Sequence, residues 1–67
     1  MFIVGQYVEL YSTIPSSQGG SIESGTRGIV REVKGPDDGL RYLVAFLANE
    51  KVTGEAAWLA REDLLPA

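Results

Sequence analysis

The chain has neither cysteine nor histidine. The first absence excludes disulfides and thiolate chemistry. The second removes the side chain best suited to general-base work near neutral pH, and together they remove the commonest zinc ligands. A fold of 67 residues without such staples must rest on its core, helped by a partner or by self-association. A chain of this length buries only about 60% of the surface its unfolded form exposes. Long apolar runs are also missing: nothing approaches the ~20 residues that span a bilayer. The opening M-F-I-V-G-Q-Y-V-E-L has no basic leader and is broken at Gly5 and Gln6, so it does not read as a signal peptide. A soluble, cytoplasmic protein without membrane contact is expected. Positive charge is scarce, with six Lys and Arg against nine Asp and Glu and a net charge of −3. That balance disfavours tight nucleic-acid binding by phosphate neutralisation. Arg27, Arg31, Lys34 and Arg41 are nevertheless close in sequence, so a local basic face stays open.

What is present alternates with a period near two. Phe2, Val4, Val8 and Leu10 mark a half-buried first strand over 2–10. The Ser-, Gly- and Pro-rich stretch T-I-P-S-S-Q-G-G-S-I-E-S-G reads as a long loop, with Ile14 and Ile22 as anchors to the core. Residues 26–33 form a second strand in which Gly28 marks a sharp bend or close backbone approach. Two registers are open there. Val30 and Val33 both face inward if a bulge separates them; otherwise Ile29 and Val33 share one face and Val30 takes the other. Lys34-Gly35-Pro36-Asp37-Asp38-Gly39 is a turn in which Gly39 can take a positive φ. Residues 40–47, L-R-Y-L-V-A-F-L, return as the third strand of a hairpin. A second loop is expected at 48–55 and a short fourth strand at 56–60. Residues 61–64 then make one helical or 3-10 turn, with a local hydrogen bond from Asp63, and Leu64–Leu65 return to the core. A helix over 55–65 competes, because Ala, Leu, Glu and Arg are good helix formers.

The order of strand, long loop, strand, tight turn, strand, loop, short strand, turn and final strand resembles the SH3-like small β-barrel. The segments that carry it are V-G-Q-Y-V-E-L at 4–10, G-T-R-G-I-V-R-E-V at 25–33, Y-L-V-A-F at 42–46 and W-L-A-R-E-D-L at 58–64. The second is similar to the G-x-x-G-x-V of barrels with a KOW-type strand pair. In outline the chain is also similar to the stromal subunit IV of photosystem I, to the β-subunit barrel of nitrile hydratases and to small actinobacterial proteins of unknown function. The resemblance implies an all-β fold: a five-stranded SH3-like barrel with a short 3-10 or helical turn near the C-terminus, one domain over 1–67. It supports fold more than function. Photosystem subunit IV docks partly through basic residues, whereas this chain is acidic, and nitrile hydratase chemistry needs a cysteine-ligated metal. No family active site carries over.

The remaining residues offer little chemistry. The serines at 12, 16, 17, 21 and 24 have no histidine to activate them. Asp37–Asp38 reads as turn chemistry, and Gly19-Gly20 is not followed by the Lys-Ser/Thr of a phosphate loop. No catalytic, metal or cofactor-binding residue is assigned. The third strand stands out, because Tyr42, Val44 and Phe46 are apolar on one face and Leu43, Ala45 and Leu47 on the other. A sheet with one solvated face alternates with polar residues instead. The second face is covered either by the long loop or by a partner. Tyr7, Tyr11 and Trp58 loosely match the regions where SH3 domains build a peptide groove, although Trp58 also suits a cap on the core. The functional expectation is a non-enzymatic protein-binding module or accessory subunit that docks to a larger complex through Tyr11, Leu43, Leu47, Trp58 and Leu59. Two alternatives are a KOW- or Tudor-like nucleic-acid- or ribosome-associated barrel using Arg27, Arg31 and Arg41, and a small phage or mobile-element inhibitor. Homo-oligomerisation stays open.

Overall fold

The computed structural model describes residues 1–67. The chain forms seven strands: β1 (Tyr7–Leu10), β2 (Ile14–Pro15), β3 (Ser21–Ile22), β4 (Arg27–Lys34), β5 (Arg41–Ala48), β6 (Lys51–Ala60) and β7 (Leu64–Pro66). Five of them make an antiparallel sheet in the order β6-β5-β4-β1-β7, and β2 pairs with β3 separately. No ladder joins β6 to β7, so hydrogen bonding does not close the sheet into a barrel. A 3-10 turn at Arg61–Asp63 links these last two strands. It replaces the competing helix over 55–65, because the Asp63 carboxylate accepts a hydrogen bond from Ala60 N–H at 3.1 Å and folds the chain back.

The register of β4 follows the bulged alternative. Pairing with β5 shifts between Val30 and Glu32, leaving Arg31 as the extra residue. Val30 therefore sits opposite Val44 and Val33 opposite Tyr42, both on the inner face. Nine buried residues form the core, with Val8, Leu10, Val30, Tyr42, Val44, Phe46, Leu59 and Leu64 coming from the sheet. The ninth is Phe2, which precedes β1 instead of lying in an extended first strand. Its ring meets Tyr42 edge-on at 5.3 Å between centroids. The turn ending at Gln6 is held by Gly5 N–H to the Val30 carbonyl at 2.7 Å.

Three other expectations change. The long loop contains the β2–β3 pair, in which Ile14 faces Ile22 and both pack on the core, as anchors should. The 34–39 turn places its positive φ at Gly35, not Gly39. The loop expected at 48–55 is absent: Asn49 and Glu50, at φ 52° and 65°, make a two-residue turn that starts β6 at once. Two left-handed residues in a two-residue loop match the twist of the strands they connect. Arg27 secures Glu50 through an ion pair at 2.9 Å.

Candidate partner-binding site

The outer face of the sheet is built by register. Alternation sends Tyr42, Val44 and Phe46 inward and Leu43, Ala45 and Leu47 outward. Tyr7, Ile29, Ala45 and Ala56 are successive cross-strand partners and form one row over β1, β4, β5 and β6. The next outward row is Glu32, Leu43 and Trp58. Leu47 extends the surface opposite Val52. Tyr7 is 46% exposed, Trp58 44% and Val52 52%, while Leu43, Leu47 and Ile29 are half-buried and Ala45 between them is buried. The long loop reaches only the Leu47 end, where Ser16, Ser21 and Ile22 line a recess of about 390 Å³ with it, while Ile14 and Ile22 pack against the core. The tip of that loop is tied to Glu55 instead, whose carboxylate accepts bonds from Ser16 Oγ at 2.7 Å, Ser17 N–H at 3.1 Å and Ser17 Oγ.

Each end of the apolar surface carries a cation over an aromatic ring. The Arg27 guanidinium lies 5.6 Å from the centre of Tyr7, and the Lys34 ammonium lies 5.5 Å from that of Trp58. Such contacts cover the ring faces with aliphatic stem and charge, keeping exposed aromatics solvated without burying them. The arginines singled out in the sequence are dispersed: Arg27 starts β4 and pairs with Glu50, Arg31 is the bulged residue, and Arg41 lies opposite Lys34 at the far end.

Of the expected contact residues, Leu43 and Trp58 are direct cross-strand partners, and Leu47 shares their face. Leu59 does not: it is 7% exposed and belongs to the core opposite Tyr42, so its place in a contact surface is withdrawn. Tyr11 is exposed but lies past the end of β1, where its N–H donates to the Asp63 carbonyl, away from Trp58 on the opposite edge strand. Tyr7, noted in the sequence beside Tyr11 and Trp58, belongs to this face, whereas Ile29, Ala56 and Val52 were not singled out. The alternation Tyr7–Glu9 against Val8–Leu10 pointed to Tyr7, and the bulged register would have turned Ile29 outward.

Elsewhere, a recess of about 370 Å³ between the 36–40 turn and the 3-10 turn is lined by Asp37, Asp38, Arg41, Arg61 and Glu62 among others. Its mixed charges converge on no point, and no three acidic side chains gather as a metal site would require. No helix is long and apolar enough to cross a membrane. Comparison with family models, with curated proteins and with solved structures finds no match.

Proposed function

We propose that residues 1–67 form one SH3-like domain, a partly open small barrel, that works in the cytoplasm as a non-enzymatic binding module or accessory subunit of a larger protein complex. The strand order, the long hairpin-bearing loop between β1 and β4, and the 3-10 turn before the last strand support that architecture. A chain without cysteine suits a reducing compartment. One observation carries the functional reading: the apolar row Tyr7–Ile29–Ala45–Ala56, continued by Leu43 and Trp58, crosses four strands on the side opposite the core. Outward faces of antiparallel sheets are normally polar, and contiguous apolar surface rimmed by charge marks a contact site. Trp58 and Tyr7 are the anchors, because aromatic side chains dominate interface energetics. The Arg27 and Lys34 contacts keep the free surface solvated until the partner displaces them.

The test uses the host's own partner. Protein captured by the wild-type chain is expected to be lost with Trp58→Ala and with Leu43→Asn, each about thirtyfold weaker or more. It should be retained by Tyr11→Ser. Both surface variants should keep cooperative unfolding. Equal capture by all three would overturn the assignment.

A further inference from the structure

The second half of β6 is an edge strand without the usual protection. β6 pairs only with β5, and no backbone hydrogen bond outside that ladder involves residues 56–59. Natural edges are blunted by charge, proline or a bulge. In β6 such devices are confined to the first half, where the register slips between Ala45 and Leu47 and where Lys51, Gly54 and Glu55 lie. Residues 56–60, Ala-Ala-Trp-Leu-Ala, carry neither charge nor proline. Ala60 N–H is already taken by Asp63, and strand alternation then turns the backbone groups of Ala56 and Trp58, with the Ala60 carbonyl, to the open edge.

The same segment is self-complementary about Trp58. In an antiparallel pair of two such strands related by a two-fold axis at Trp58, Ala56 faces Ala60 and Ala57 faces Leu59. Trp58 faces its own copy across the axis, and small or apolar residues meet on either side of it. One step further out, Glu55 faces Arg61, so the flanking charges are opposite in sign at both ends. Arg61 is exposed and lies one residue past the strand. Glu55 Oε1 accepts only Ser16, so a carboxylate lone pair remains for a guanidinium. An isologous contact requires this kind of match of a surface with itself. We infer that the occupant of the β6 edge is a second copy of this chain, paired antiparallel over 56–60 about Trp58 and closed at each end by a Glu55–Arg61 ion pair. The two sheets then become one, and the two outward apolar rows join on the same face. A short edge buries less than a standard interface, so the dimer is weak, with dissociation in the range of about 10 μM to 1 mM. This inference does not depend on the docking of a different protein.

Sedimentation equilibrium of the intact chain over about 10 μM to 2 mM tests it, a range chosen to bracket that affinity. The expected result is a mass that rises toward twice the monomer's, with amide exchange at Ala56 and Trp58 slowing in step. Arg61→Glu, which sets two carboxylates opposite each other, should weaken association about tenfold or more, as a like-charge contact does. Arg31→Glu, on the β4 bulge, should leave it unchanged. A monomer throughout that range would overturn the inference. So would a dimer indifferent to Arg61→Glu, or one whose Ala56 and Trp58 amides exchange as in the monomer.

Discussion

Phe2 and Gly28 show most clearly how much one residue contributes. Phe2 belongs to no strand, yet it is buried and meets Tyr42 edge-on, so the first residues of the chain complete the core. Phe2→Ala should destabilise the fold by about 3–5 kcal/mol. That approaches the whole stability expected of so small a domain, of order 5 kcal/mol. Urea unfolding should therefore show a largely unfolded population in buffer. Gly28 lies opposite Phe46, and a methyl group there would overlap Val44 Cγ1 while lying 3.0 Å from the Ala45 carbonyl oxygen. Both atoms sit on a central strand that cannot retreat. Gly28→Ala is expected to cost about 1–3 kcal/mol, seen as a lower urea midpoint with an unchanged slope. Close backbone approach at this glycine was legible in the sequence because a glycine inside a strand has few other reasons to be there. The inward role of Phe2 was legible only as an apolar residue near the terminus, since nothing local distinguishes packing from strand pairing.

Among the elements, the hairpin of β4 and β5 was the most legible, because its turn chemistry and its alternation agree. The bulge at Arg31 was legible as one of two registers, and only packing against Tyr42 and Val44 decides between them. The start of β6 was hidden. Lys51-Val52-Thr53-Gly54-Glu55 has no alternation to read, and its turn asks Glu50 to adopt a left-handed conformation that sequence patterns do not favour. The docking of the β2–β3 hairpin was hidden for a different reason: it depends on hydrogen bonds between residues nearly forty positions apart. Those bonds make the hairpin sensitive to acid. The Ser17 hydroxyl and then the Ser16 hydroxyl hold the Glu55 carboxyl below its ordinary value of 4.5, burial opposes them, and the Ser17 N–H adds the least. A carboxylate with a lowered folded-state pKa stabilises the contact above the ordinary value, and the benefit is lost as pH falls through the lowered one. Amide exchange at Ser17 should therefore accelerate below about pH 4.5 in the wild type. In Glu55→Gln it should be fast at neutral pH and change no further on acidification beyond the intrinsic rate.

The whole molecule is defined by a sheet whose two faces are both apolar along β5, for different reasons. The inner face is occupied by the chain's own residues from Phe2 to Leu64. The outer face is bounded by charged residues, and its exposed apolar area comes from Tyr7, Val52 and Trp58 around a buried Ala45. The sequence pointed to this face through Leu43, Leu47 and Trp58, but it also suggested Leu59, which strand alternation turns inward, and Tyr11, which lies beyond the strand end. Leu59 follows Trp58 directly, so alternation sets the two on opposite faces, and Tyr11 lies where β1 has already ended. The central claim is that a larger protein seats on this outer face. Amide and side-chain exchange footprinting of the chain, free and bound to its captured partner, tests that claim most directly. Protection is expected to centre on Tyr7, Ile29, Leu43 and Trp58, with the hairpin tip at Ser16–Ser17 unaffected. Protection confined to the hairpin and the 36–40 turn, with Trp58 still solvated in the complex, would contradict it.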